Sequence, residues 1–364
     1  MTSARISVRQ NQIIDELKSR ILRGEFPPGG RLPTLTGLGR STGACRVTVQ
    51  RAIDRLRREG FIETLGRRGT FVVDHPPHLS HFGLLLPFCP PAGLNNNYFR
   101  SWELEVQRFA RAEAANGDSG RTFSVYYEVG GPAALESQRE LVDAVREHKL
   151  AGLIFVSDSN SFRDTPVLDD PTLPRVTTEP LAIPGGYSVR MVPYIDRALD
   201  YLSARGRRSV AFILHTWQEA PVGTAALVQS ARSRGFSTHD HWVQGMDLCS
   251  PTWAANIARL LLHPSNSVRP DAIIIFDDNL APAAVEGMLS IGVRIPDDVE
   301  VVAHGIFPYL TPTAVPVKRI GYSVRELLHL CVSIIERRRQ GESVPKTTDL
   351  NCYLDDEIDA ATMA

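Results

Sequence analysis

Three stretches near the start of the chain, NQIIDELKSRILRGEFPPGGRLP (11–33), CRVTVQRAIDRLRREGFIE (45–63) and RRGTFVV (67–73), decide the fold of its first fifth. Ile13, Ile14, Leu17, Ile21 and Leu22 recur at helical spacing, which predicts one amphipathic helix of about four turns. Gly24, Pro27 and Pro28 end it, because glycine accepts a left-handed backbone and proline cannot continue the hydrogen-bond ladder. Thr34 is placed to cap a short second helix, and Gly43 marks the turn after it. Val47, Val49, Ala52, Ile53 and Leu56 predict the buried side of a third helix that runs to Glu59 and stops at Gly60. Phe61–Leu65 and Thr70–Val73 are β-rich runs joined by Gly66, Arg67, Arg68 and Gly69, a hairpin with a positive tip. Three helices followed by a basic hairpin predict a winged helix-turn-helix, a head for duplex DNA.

The chemistry of that reading falls on few side chains. Residues at the start of a recognition helix enter the major groove, where arginine pairs with guanine and glutamine with adenine, each pair discriminating by about 1–3 kcal/mol. Arg46 and Gln50 stand at such positions, with Thr48 between them, and Arg67 and Arg68 are placed to grip phosphate or the minor groove. For Arg51, Arg55, Arg57 and Arg58 the plainer reading is a solvated helix face.

These segments resemble the GntR family of bacterial transcription regulators. Its pieces stand in order at Gly24–Pro33, Cys45–Ile53, Leu56–Ile62 and Gly66–Val72, about a fifth of the chain. The resemblance implies DNA contacts at Thr34 and Thr36, at Arg46, Val47, Thr48 and Gln50, and at Arg67, Arg68 and Gly69. The chain departs from the pattern where Leu35, Thr36 and Gly37 replace Glu-Arg-Glu, where Cys45 replaces the Ser or Thr cap, and where Gln50 replaces a frequent arginine, which points to an unusual operator.

Composition bounds the remainder. With 364 residues, 43% hydrophobic and 22% charged, two or three globular cores are expected. Net charge is −1, yet residues 1–73 hold 14 Lys and Arg against 6 Asp and Glu, so a basic head precedes a net acidic remainder. The absence of an apolar run near 18 residues and of a signal peptide predicts a cytoplasmic protein with no membrane partner. Cys45, Cys89, Cys249, Cys331 and Cys352 lack paired spacing, which predicts reduced thiols and no zinc site, and the ten histidines form no ligand-spaced cluster. No cofactor or metal is expected.

Residues 74–81, DHPPHLSH, have the character of a linker between a head at 1–73 and a second domain at 82–364. Beyond them short apolar runs at Phe82–Pro87, Thr122–Val129, Gly152–Ser157, Ser209–Leu214, Ala272–Phe276 and Val299–Ala303 alternate with helical patterns such as Trp102–Ala115 and Ala133–His148. Strands alternating with helices predict an α/β fold with parallel sheets covered on both faces, and ligands in such sheets bind beyond the carboxyl ends of the strands.

The stretch 271–306, DAIIIFDDNLAPAAVEGMLSIGVRIPDDVEVVAHGI, and the helix-bearing segment 310–341 resemble the effector domain of the LacI/GalR family, with its periplasmic-binding-protein type I fold. HFGLLLP (81–87), KLAGLIFVS (149–157) and DYLSARGRRSVAFIL (200–214) follow the same order, so the resemblance covers 82–354. A GntR-type head on a LacI-type sensor resembles the arabinose-repressor subgroup of GntR regulators. The resemblance implies lobes beginning at 82 and 187, with three crossovers, a return of the chain to the first lobe after about 303, and side-by-side dimerisation. It implies an effector in the cleft at Asn95, Tyr98 and Phe99, Ser157 and Asp158, Trp217 and Glu219, Asp277 and Asp278, and His304, with Asp278 as acceptor for a sugar hydroxyl.

For Asp277 and Asp278 a helix N-terminal cap remains the equal alternative. The family's arginine near Pro221 is missing, and His304-Gly305-Ile306 replaces its Gly-aromatic-Asp, which predicts an effector other than a simple free aldose, or one held in another pose. The function so read is a DNA-binding repressor that binds a palindromic double-stranded operator as a homodimer under control of a small polar effector, a carbohydrate or its derivative. The alternative is a sensor fold that binds no ligand and serves dimerisation or protein interaction. No GxSxG, P-loop or dinucleotide motif stands in strand-turn-helix context, so no enzyme is expected. The pyridoxal-phosphate branch of the same regulators would need a Schiff-base lysine, and only Lys149, Lys318 and Lys346 are present after the head.

Overall fold

The computed structural model describes residues 2–88, 96–115, 120–129, 132–156, 162, 164–178, 183, 185–192, 194–215, 221–246 and 252–358. Five expected site residues, Asn95, Ser157, Asp158, Trp217 and Glu219, lie outside them.

Helix α1 spans Thr2–Leu22, 21 residues, longer than the four turns its apolar stripe predicted. Val8, in the added stretch, is exposed and so extends no buried stripe. Helix α2 (Leu35–Thr42) begins at Thr34, whose hydroxyl accepts from the Gly37 amide at 3.1 Å, and ends at left-handed Gly43, φ 62°. Helix α3 (Arg46–Arg58) packs Val49, Ala52, Ile53 and Leu56 onto α1. Val47 corrects the expected buried set, since it sits two residues before Val49, on the opposite side of the helix, and is 59% exposed. Strands β1 (Ile62–Thr64) and β2 (Thr70–Val72) pair antiparallel, with Ile62 opposite Val72 and Thr64 opposite Thr70. The Gly29–Leu32 segment adds a third edge through Val72 N to Gly30 O at 2.9 Å and Leu32 N to Thr70 O at 2.8 Å.

The expected linker is not a solvated tether. Pro77–Ser80 makes one helical turn, α4, whose Ser80 hydroxyl donates to Pro76 O at 3.0 Å. His78 is buried and lies parallel to the Phe61 ring at 5.8 Å. Burial, then Arg339 and His148, push its pKa down from 6.5 to about 4. Burial depresses His81 and His148 in the same direction. The unfolded chain therefore takes up protons first as pH falls, so stability is full above about pH 6.5 and declines toward about pH 4. The urea midpoint is expected to fall between pH 7 and 5.5, with about 1 kcal/mol from His78 alone; an equal or higher midpoint at pH 5.5 would contradict this.

After the head come β3 (His81–Phe88), α5 (Asn97–Ala115), β4 (Thr122–Val129), α6 (Pro132–Arg146), β5 (Gly152–Phe155), α7 (Pro166–Asp169), β6 (Arg175–Thr177) and β7 (Tyr187–Met191). There follow α8 (Ile195–Ala204), β8 (Val210–His215), α9 (Pro221–Ser233), β9 (Val243–Met246), α10 (Trp253–Leu262), β10 (Ala272–Ile275), α11 (Ala281–Ser290) and β11 (Glu300–Phe307). The chain continues through β12 (Lys318–Ser323), α12 (Val324–Arg339), β13 (Thr347–Leu350) and β14 (Tyr353–Leu354). One six-stranded sheet has the order β13-β7-β6-β5-β3-β4 and the other β14-β12-β11-β10-β8-β9. Pairs β3·β4, β3·β5, β5·β6 and β6·β7 are parallel in the first sheet, and β8·β9, β8·β10, β10·β11 and β11·β12 in the second.

Burial on both faces explains why these strands read as continuous apolar runs. In β10, Ile273 and Ile275 join Ala258 and Leu262 of α10 and Ala284 and Met288 of α11, while Ala272 and Ile274 join Leu199 and Leu202 of α8 and Ala231 of α9. The contacts divide into two units, 1–89 with 107–188 and 331–346, and 90–106 with 189–330 and 347–364. The head thus groups with the first sheet, and the second unit takes the start of α5, which a linear division near 186 does not foresee.

Candidate DNA interface and sensor site

Arg46 and Val47 are exposed on the first turn of α3, and Thr36 is exposed on α2. Thr34 is also exposed, but its hydroxyl is committed to the cap. Thr48, expected beside them, turns inward: it is 5% exposed and its Oγ1 lies 3.2 Å from Cys45 Sγ. That contact, with the Thr48 backbone amide, lowers the Cys45 thiol pKa, while Cys45 makes no side-chain cap bond of the Ser or Thr kind. Gln50 is half-buried and donates from Nε2 to Asp54 Oδ1 at 3.1 Å, so reading a base requires it to leave a partner. Two of the four arginines read as a solvated face are paired, Arg55 with Glu59 at 2.7 Å and Arg57 with Asp54 at 3.4 Å.

Arg67 and Arg68 occupy a 3₁₀ turn, Gly66–Arg68, and both are exposed. Gly69 follows at φ 117°, where a Cβ would come within 3.0 Å of Arg31 Nε. Glycine here makes room for a third guanidinium beside the wing, and Arg31 is exposed. Sequence reasoning missed Arg31 because it sits some forty residues before the hairpin; its bridge to Phe71 brings it there. A basic residue in the extended run before Pro33 was the available signal.

In the second unit Asp277 and Asp278 follow the carboxyl end of β10, and His304 lies within the neighbouring β11. Asp278 is 1% exposed and fully engaged. Its Oδ1 accepts from Arg319 Nη1 at 2.5 Å, and its Oδ2 accepts from Asn97 Nδ2 at 2.6 Å, Thr311 N at 2.9 Å and Thr311 Oγ1 at 2.7 Å. Buried, with one donor on Oδ1 and three on Oδ2, this carboxylate is turned to its protein partners and away from a ligand hydroxyl. Arg319, 4% exposed, also donates to His304 O at 3.2 Å and Thr311 O at 2.6 Å. A basic group does therefore stand beside Asp278, delivered by β12. Neither aspartate caps α11, whose N-cap is Leu280; Asp277 Oδ1 instead accepts from Asn279 N and Nδ2, both at 2.8 Å.

His304 packs its ring 5.2 Å from Tyr194 and 5.6 Å from Tyr322, and Tyr194 lies 5.3 Å from Phe276. Burial lowers the His304 pKa against the opposing pull of Asp277 and Asp278, and burial raises that of Tyr194. Both rings are thus neutral near pH 7, a set of aromatic faces next to the half-buried Asp277 carboxylate. Phe99 is buried and Tyr98 half-buried, their rings edge to face at 5.3 Å on the first turn of α5. Asn97, Tyr194, Thr311 and Arg319 were not foreseen, since each lies outside the acidic turn that drew attention. Among the described residues no His, Cys, Asp and Glu group has metal-site geometry, and no helix is long and apolar enough to cross a membrane.

Residues 9–72 match the family "Bacterial regulatory proteins, gntR family", and residues 199–350 match "Periplasmic binding protein-like domain". The arabinose metabolism transcriptional repressor of Geobacillus stearothermophilus is 23% identical over 378 residues, 93% of either chain. The HTH-type transcriptional repressor YtrA of Bacillus subtilis is 41% identical over 64 residues, 18% of this chain and 49% of its own. Among solved structures, a LacI family regulator from Lactobacillus casei with bound glucose superposes with TM-score 0.54 at 19% identity, covering 76% of this chain and 98% of that one. A LacI family regulator from Clostridium acetobutylicum reaches TM-score 0.57 at 16% identity, covering 76% and 98%. The relatives are transcription regulators and not enzymes, and at these identities the solved structures speak for the fold. A gntR-type helix-turn-helix head at 9–72 and a periplasmic-binding-protein-like domain at 199–350 thus run on in a single chain, and the solved LacI family regulators share the fold of that second part.

Proposed function

We propose that the chain is a repressor that binds a two-fold symmetric operator as a homodimer and loses affinity when its sensor domain takes up a polar, carbohydrate-like effector. The exposed basic series of Arg46, Arg67, Arg68 and Arg31 on one small head is the observation that carries the DNA part. One recognition helix reads only a few base pairs, so two heads are needed for a site of useful specificity. Full-range similarity to an arabinose metabolism repressor, and the glucose seen in a LacI-type neighbour, support a sugar-like effector.

In this reading Asp277, His304 and Tyr194 supply what a carbohydrate needs, a carboxylate oxygen for hydroxyl protons and aromatic faces for C–H surfaces. Asp278 acts behind them by holding Arg319 and Thr311 in place. Footprinting on the chain's own promoter region, repeated with arabinose, glucose and their phosphorylated and acidic derivatives, tests both parts. Symmetric protection released at least tenfold by one of these sugars is expected. Asymmetric or sequence-indifferent protection would remove the operator reading, and protection that no sugar alters would favour the ligand-free alternative.

A further inference from the structure

We propose that Lys18, Arg55, Glu59 and Glu147 form a polar latch that seats the DNA-binding head on the first sheet's unit and so aims the recognition helix. Nothing in the DNA-binding reading requires such a contact. By spacing, Lys18 is one more lysine on an amphipathic helix, yet it is 5% exposed. Its ammonium lies 2.7 Å from Glu59 Oε2 and donates to the backbone carbonyl of Glu147 at 3.0 Å. Arg55 Nε donates to Glu59 Oε1 at 2.7 Å, and its Nη2 reaches Glu147 Oε1 at 3.5 Å. Lys149 holds the other Glu147 oxygen at 2.5 Å, with Asp15 and His148 the further titratable groups nearby.

The charges stay charged. Burial alone would raise the Glu59 pKa, but hydrogen bonds from Lys18 and Arg55 outweigh it and hold it below the ordinary value. An apolar collar completes the contact: the Lys18 ammonium stands 5.0 Å over the buried Phe61 ring, which His78 of α4 also covers.

This junction differs from ordinary packing. The buried apolar cluster of the head runs from Ile13 to Val72 and takes in no residue of the first sheet, and the cluster on that sheet that includes Leu85, Leu153 and Phe155 takes in no residue of the head. Across the junction run the ion pair of Arg55 with Glu147 at 3.5 Å, the Lys18 hydrogen bond to the Glu147 carbonyl and the α4 turn. Such polar contacts exchange for water at far less cost than packed apolar surface, so the head can part without breaking either cluster. Arg55 and Glu59 sit at the carboxyl end of α3, whose first turn presents Arg46 and Val47. Anchoring one end of a 13-residue rod points the other. These four are positioning residues that act through the recognition helix.

The test uses the full chain with Glu147→Lys, which places a cation against Arg55 and Lys18 from outside the head, and Lys18→Met, which keeps the stem and removes the charge. NMR relaxation of the head amides (9–72) against those of the first sheet needs no DNA. In the parent the two sets are expected to share one rotational correlation time, and in both variants that of the head should shorten at least twofold. An unchanged correlation time in folded Glu147→Lys overturns the latch, even if Lys18→Met fails to fold. A second readout rests on the dimeric-operator reading: moving the half-sites apart by five base pairs should weaken the parent at least tenfold and Glu147→Lys less than threefold. Equal weakening of both would remove the aiming role while leaving the mobility result to stand or fall alone.

Discussion

Asp278→Ala is expected to destabilise the second unit by about 3–5 kcal/mol, the cost of stripping one partner from a buried ion pair. Arg319 would keep its backbone acceptors at His304 and Thr311 but lose the carboxylate its guanidinium is bonded to, and Asn97 and Thr311 would lose theirs. Total stabilities of domains are about 5–15 kcal/mol, so this one change removes a large fraction. For a unit of this size it corresponds to roughly a 10 °C fall in melting temperature. Replacing both members, Asp278→Ala with Arg319→Met, should recover much of the loss, since the penalty lies in the uncompensated charge. Chemical denaturation of the three proteins decides it. If Asp278→Ala alone is within 1 kcal/mol of the parent but no longer responds to an effector, the carboxylate serves the ligand, as the acidic turn alone had led one to expect.

Arg67→Ala with Arg68→Ala is expected to weaken binding to operator and to unrelated duplex alike, by about 50-fold near 0.1 M salt and progressively less toward 1 M. Each phosphate neutralised contributes about 0.9 to the slope of log affinity against log salt, so the pair should flatten it by about 2. Arg31→Ala should remove one further unit of about 0.9. Gly69→Ala should behave similarly, because the new Cβ would push the Arg31 guanidinium aside and the backbone at φ 117° strains any side chain. Arg46→Ala is the contrast: there the loss should fall on the operator, by about 1–3 kcal/mol, with the salt slope nearly kept. Titrations of both DNAs across salt separate the cases. A wing double variant that loses only operator affinity, with an unchanged slope, would show those arginines reading bases.

What this sequence determined by itself was whatever depends on short range. The helices α1 and α3, the Thr34 cap, the Gly43 turn and the hairpin at Gly66–Gly69 are set by a few neighbouring residues and formed where the pattern placed them, apart from the added N-terminal turns of α1 and the outward Val47. The alternation of strands and helices was equally legible, because a parallel strand buried on both faces must be apolar throughout. The short strands β6, β9 and β14 were not, being two to four residues long with no period to detect. Tertiary structure alone decided which polar groups meet. Arg319 reaches Asp278 across 41 positions, Lys18 reaches Glu147 across 129, and Asn97 reaches Asp278 across 181. Local sequence carries no sign of such pairings, since a lysine on a helix or an aspartate after a strand looks the same whether water or a buried partner satisfies it. Only the closing of the fold removes the water, and the cost of an unpaired buried charge then makes each partner obligatory.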